Sequence, residues 1–206
     1  MLNRRFASLL AAVTVTGAAA TGCADQSAAI KVDDVTVSRS DFEDELAFYF
    51  ENDELRDFVF GPAERDQLRG ELRESYSQEY VAVVAGLRVQ FIVADAVLAA
   101  EGLEVTDEDR RGAEDEIDDG VPGGVSSLPE DRRADFVDDV ATLRVLQGEL
   151  QDGFTQAITD AYAEADISVR SQYGRWDPEQ LTIVPPDGPA AAPGGGDAET
   201  DGPTSE

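Results

Sequence analysis

Apolar residues from Val84 to Leu98 recur at helical spacing. Val84, Leu87, Phe91, Ala94 and Leu98 form one stripe, and Val89, Ile92, Val93 and Val97 fill much of the remaining surface. A helix that is apolar nearly all round is a centrally buried one. A membrane span shows the same pattern, but Arg88, Gln90 and Asp95 interrupt it, and charges at that depth argue against a span. The helix is expected to start far upstream, at Ala63, with a charged and sparsely apolar first part, "AERDQLRGELRESYSQEY".

The flanking segments follow the same logic. In "AIKVDDVTV", Ile30, Val32, Val35 and Val37 predict two short strands around an Asp33–Asp34 turn. Ser38 and Ser40 can both cap the helix that follows, and Ser40 with Glu43 has the spacing of a capping box. Phe42, Leu46, Tyr49 and Phe50 share a face of that helix, and "FGP" at Phe60–Pro62 breaks the chain. Gly102 stops the central helix, and Thr106 restarts one whose first turn, Asp107 to Asp109, suits the positive end of the dipole. The new helix ends near Gly120, and "GVPGGVSSLPED" reads as a loop. One long amphipathic helix is expected next, marked by Phe136, Val140, Leu143, Leu150, Phe154, Ile158 and Ala161. "ISV" and "LTIV" then read as strands, with "YGRWDP" as an aromatic turn between them. From Pro185 the chain is Pro, Gly, Ala and acid, the composition of a disordered tail.

Composition narrows the chemistry. The 206 residues carry 44 acidic against 16 basic side chains, a formal net charge of -28, which repels nucleic acid and anionic membrane surfaces. There is no histidine, so Ser-His-Asp and Cys-His catalysis are excluded, as are zinc sites built on Cys and His. Asp107, Asp109, Gly112 and Asp118 fall on calcium-loop positions, but Arg111 occupies a ligand position and the bidentate Glu is missing. No phosphate loop, dinucleotide fingerprint or nucleophile elbow occurs, and no cofactor is expected.

The N-terminus reads as an address. Arg4 and Arg5 precede an apolar run from Phe6 to Val15, then small residues up to Gly22, the plan of a secretory signal. "ATGC" resembles a bacterial lipobox, with Ala20 where that pattern prefers Leu. The expected organisation is a lipoprotein signal over residues 1–22, lipidation at Cys23, a tether over 23–28, a folded domain over 29–184 and the acidic tail over 185–206. Ordinary cleavage after Ala18–Ala20 is the alternative. It leaves Cys23 as a lone thiol near an exported N-terminus.

Three segments together resemble the SurA N-terminal domain family. "AIKVDDVTVSRSDFEDEL" is similar to its opening of strand, turn, strand and capped helix. "GLEVTDEDRRGAEDEI" resembles its internal corner, and "DISVRSQYGRWDPEQLTIVPP" resembles the ending of actinobacterial lipoproteins of this group. The resemblance implies a mainly α fold, a bundle of long helices closed by a small β-ribbon from the N- and C-terminal strands. It also implies an extracytoplasmic chaperone module, anchored to the outer face of the cytoplasmic membrane through Cys23, that holds unfolded or extended exported polypeptides. Foldase-type members carry a parvulin prolyl isomerase domain after the acidic helix. A domain of ~100 residues does not fit in the "GVPGGVSSLPED" loop, and the histidines of that site are absent, so no isomerase activity is expected.

The aromatic residues Phe48, Tyr49, Phe50, Phe58 and Phe60 are the candidate peptide-binding surface. Aromatic stripes on helices mostly face other helices, so core packing is the competing reading, and the two are not exclusive. Two other readings stay open: a cell-envelope module that docks one protein partner, and a hydrolase using paired carboxylates.

Overall fold

The computed structural model describes residues 28–61, 68–70 and 76–186. The leader, Cys23 and the tail beyond Pro186 lie outside the described residues. Helix accounts for 66% of the described chain, with small antiparallel sheets. The elements in order are β1 (Ala28–Val32), β2 (Val35–Ser38), α1 (Arg39–Glu51), α2 (Asp53–Phe60), α3 (Gln78–Ala100), α4 (Asp107–Gly120), α5 (Glu130–Leu150), α6 (Phe154–Glu164), β3 (Ile167–Val169), β4 (Arg175–Asp177) and β5 (Thr182–Val184).

The two ends of the described chain meet in one sheet, ordered β2-β1-β3, with both pairings antiparallel. Asp33 makes the tight turn at φ 51, a left-handed conformation that a short polar side chain tolerates. It also links the ends: its N–H donates to the Asp166 carbonyl at 3.0 Å, and its carboxylate accepts from the Asp166 N–H at 2.9 Å. β4 and β5 form a separate hairpin packed against α3, so the terminal β-structure is two sheets rather than one ribbon. "RWD" is therefore strand where a turn was expected. The turn lies just beyond, where Asp177 Oδ1 accepts from the N–H groups of Glu179 and Gln180.

α3 is the central helix, packed by α1, α5, α6, β1 and β5. It is long and apolar enough to cross a membrane by length and composition, and 56% of its most apolar window is buried inside the fold. It begins at Gln78, capped by Ser77, not at Ala63. Upstream, Arg69 and Tyr76 form an isolated antiparallel bridge, and the Ser77 N–H donates to the Leu68 carbonyl at 2.7 Å. That antiparallel pairing leaves Tyr76 outside the helix.

Two other boundaries differ from expectation. Ser38, not Ser40, caps α1, with its Oγ accepting from the Asp41 N–H, while Glu43 is drawn to Arg39 at 2.8 Å. The long C-terminal helix is broken at Gln151, whose φ of 45 forces a short 3-10 turn before α6. The Gly102 corner follows the sequence closely. The N–H groups of Gly102 and Leu103 close onto the carbonyls of Ala99 and Leu98, a Schellman motif, and Thr106 and Asp109 form a reciprocal capping box. α4 is continuous helix through the calcium-like spacing, a conformation that does not wrap an ion.

Candidate functional site

α1, α3 and α5 each place a charged residue at a spacing that otherwise selects apolar ones. On α1, Glu45 falls among the buried residues Phe42, Leu46 and Tyr49 and is itself only 8% exposed. On α3, Arg88 follows buried Val84 by one turn, and on α5, Asp139 follows Phe136 by three residues. The three side chains meet. Arg88 Nε lies 3.8 Å from Glu45 Oε2, and its Nη1 lies 3.9 Å from Asp139 Oδ2. Both separations exceed hydrogen-bond length, so attraction between them is Coulombic only. Arg88 Nε is buried and has no hydrogen-bond acceptor among the described residues.

Burial dominates the electrostatics. It pushes the Glu45 carboxyl up from 4.5 to about 7, against the opposing pull of Arg88 and Arg132. Asp139 rises from 3.8 to about 7 for the same reason, with Arg88 again opposing and Asp95 reinforcing. Asp95, two turns further along α3, is also raised by burial, opposed by a hydrogen bond from Thr142 Oγ1 at 3.1 Å. The Tyr49 hydroxyl is pushed upward by burial and by the nearby Glu45. Glu45, Tyr49, Arg88 and Asp139 line a cavity of about 320 Å³ together with Arg132, Asp135 and Phe136.

A second cavity, of about 210 Å³, adjoins the first. Its walls come from α1 to α5 and are mostly apolar, with Phe58, Phe91, Ile117, Val140 and Leu143, but Glu116, Arg144 and Gln147 also line it. Tyr49 and Phe136 line both cavities, their rings packed edge-on with centroids 6.4 Å apart. This ring pair is the partition between an acidic chamber and an apolar one. Phe58 stands on the apolar side with 56% of its surface exposed. Gly120 of α4 lets it lie close: a Cβ at that position would sit 2.9 Å from the Phe58 ring.

The five candidate aromatic residues therefore do not form one open face. Phe48, Tyr49 and Phe50 are buried, and their rings pack on Phe136, Tyr76 and Tyr80. Phe60 is half-buried and lies against Tyr80, with centroids 5.0 Å apart. Helical spacing put these side chains on the inward stripe, where burial of a large ring is worth more than exposure. Phe58 alone of the five is exposed, and Tyr49 keeps one role by walling both cavities.

α2 owes its position to Asn52. Its Oδ1 caps the helix by accepting from the Leu55 N–H at 2.9 Å, and its Nδ2 donates to the Ser127 carbonyl at 3.0 Å. That second bond ties the helix bearing Phe58 to the loop before α5. The loop is itself fixed by Asp118, whose Oδ1 accepts from the Val125 N–H at 2.7 Å.

The paired carboxylates converge in one chamber, as acid–base catalysis requires. Burial raises both carboxyls, and both face the same guanidinium, that of Arg88. The chain matches no protein-family model, no curated protein and no solved structure.

Proposed function

We propose that this chain is an extracytoplasmic lipoprotein, tethered at Cys23, whose helical domain holds extended or unfolded segments of exported polypeptides without covalent chemistry. The observation that carries this reading is the mostly apolar cavity walled by α1 to α5, with Phe58 exposed at its wall. A cavity of this size takes one or two apolar side chains of a segment rather than a whole small molecule. The three segments similar to the SurA N-terminal family support the same reading, as does a sheet that joins the two ends of the domain. The finer assignment, a SurA-like bundle, belongs to this proposal too.

The test is suppression of aggregation of a reduced, unfolded exported protein by the purified domain. The expected result is suppression at several-fold molar excess that is lost in Phe58→Asp. No effect of the unaltered domain would overturn the reading. Recovery of a single stoichiometric partner in a pull-down, rather than a spread of unfolded exports, would favour the alternative of a dedicated docking module.

A further inference from the structure

We propose that the acidic chamber receives a cationic side chain, so that the segments this domain holds carry a lysine or arginine close to their apolar anchor. The inference rests on the polypeptide-holding reading above and names the class of segment it selects.

Adjacency is the first argument. The acidic and apolar chambers share Tyr49 and Phe136 as a common wall. Neighbouring side chains of one extended segment can therefore enter both. Charge is the second. Glu45, Asp135, Asp138 and Asp139 line the acidic chamber against Arg88 and Arg132. Asp138 is engaged by Arg110 Nε at 2.6 Å, and Arg132 reaches toward the Asp41 carbonyl at 3.4 Å. Carboxylate remains in excess over guanidinium among the groups left.

Hydrogen bonding is the third argument. Glu45 lines the chamber at 8% exposure, and its contact with Arg88 is an ion pair at 3.8 Å without a hydrogen bond. The Asp139 contact with the same arginine, at 3.9 Å, is alike. Among the described residues neither carboxylate accepts a hydrogen bond, so both keep their lone pairs for a donor brought from outside. Ammonium and guanidinium groups supply only donors, and charge-assisted bonds to carboxylates are the strong ones. The protein's overall charge of -28 draws cations toward it from a distance.

An incoming carboxylate meets the opposite field. Arg88 Nε lacks an acceptor, but an anion reaching it has to pass the carboxylate excess. The chamber therefore discriminates by sign.

The experiment uses short fluorescent peptides and the full folded chain, read by anisotropy at about pH 8, where Glu45 and Asp139 are ionised. One peptide carries a single Phe or Leu anchor in a neutral background. Two others differ from it only by an Arg or a Glu beside the anchor. The expected result is that the Arg peptide binds about ten-fold more tightly than the Glu peptide, the scale of one charge-assisted bond. In Glu45→Gln and in Asp139→Asn that ratio falls toward one. Equal affinity for the Arg and Glu peptides overturns the inference and leaves the holding function standing. Binding by none of the peptides overturns both. Free arginine amide binding as tightly as the Arg peptide also overturns the inference, because the chamber then takes a free cation and not a segment. The unaltered protein's ratio decides the matter even if a variant fails to fold.

Discussion

Replacing Glu45 by Gln should stabilise the protein above neutral pH. Glu45 sits in the core with its carboxyl raised from 4.5 to about 7 by burial. A folded state with a raised carboxyl pKa binds more protons than the unfolded state between those two values. The contribution of Glu45 to stability is therefore fully present below about pH 4.5, is lost as pH rises toward 7, and is flat above it. Each pKa unit is worth about 1.4 kcal/mol, so ionising Glu45 in place costs up to ~3 kcal/mol. Gln keeps the shape and carries no charge, so it escapes that cost. That cost is already net of the attraction to Arg88 and Arg132; the opposing loss is the burial of the Gln amide, and Arg88 retains Asp139 at 3.9 Å. The net expectation is a gain of about 1–2 kcal/mol, because Arg88 keeps Asp139 as a counter-charge and is not left uncompensated, the condition under which breaking a buried pair is costly.

The assay is urea unfolding followed by far-UV circular dichroism, from about pH 5 to pH 8. Glu45→Gln should match the unaltered protein near the acid end and exceed it at the alkaline end, so its stability profile is flatter across the interval. A variant less stable by more than ~1 kcal/mol at the alkaline end would mean that the Glu45–Arg88 contact holds the fold together, and would refute the reasoning.

Phe58→Ala should abolish capture of unfolded clients while lowering stability by less than about 1 kcal/mol, since the ring is already 56% exposed; aggregation assay and urea midpoint on the same sample separate the two effects. Asn52→Ala removes a helix cap and the bond to Ser127 together, and should cost about 2 kcal/mol in urea unfolding. In Gly174→Ala the new Cβ would lie 2.4 Å from Ile183 Cγ2 and 2.9 Å from the Val184 carbonyl, at a φ of 132. The β4–β5 hairpin should loosen, with a red shift in Trp176 emission and a loss of about 2 kcal/mol or more. The preference for Arg over Glu peptides should shrink as pH falls below about 7, when Glu45 and Asp139 take up protons; the groups facing them are Tyr49 on α1, Arg88 and Asp95 on α3, and Arg132, Asp135 and Asp138 on α5.

What was legible in the sequence is what local chemistry decides. Val35 and Val37 with the Asp33–Asp34 turn, the Gly102 stop and the Thr106 restart each need only a few neighbouring residues, and each stands where the pattern put it. The break between α1 and α2 was missed because the apolar spacing runs on through it, although Asn52-Asp53-Glu54 is a capping sequence. What settles it is a bond from Asn52 to Ser127, far along the chain. The break at Gln151 was masked in the same way, since Leu150 and Phe154 keep helical spacing across it and only Gly153 hints at the turn. The start of α3 was placed too early because charged residues with high helix propensity continue upstream, while Ser77 and a bridge between Arg69 and Tyr76 decide the boundary. The exposed-face reading of Phe48, Tyr49 and Phe50 failed for a related reason. Their stripe was identified correctly, but a stripe says which way residues point together, and not whether another helix covers them.

The candidate site was also visible, in a form that was used for a different purpose. Arg88 and Asp95 served as arguments against a membrane span, and a charge within an apolar helix has a second meaning: it needs a partner in the core. Glu45 and Asp139 sit at core spacing on α1 and α5 and are the partners that Arg88 finds. This arrangement is a poor device for stability. The ions are taken from water, the contacts are too long for hydrogen bonds, and Arg88 Nε gains no acceptor. Apolar residues of similar volume in the same three places would hold the helices more firmly. A cationic side chain entering the chamber changes that balance, because it brings donors to Glu45 and Asp139 and offsets the charge they carry in the core. Stability and binding then pull in opposite directions at the same residues. A Glu45→Gln variant that unfolds at higher urea and no longer distinguishes Arg from Glu peptides is the joint outcome this physics requires, and its second half does not follow from a merely structural ion pair.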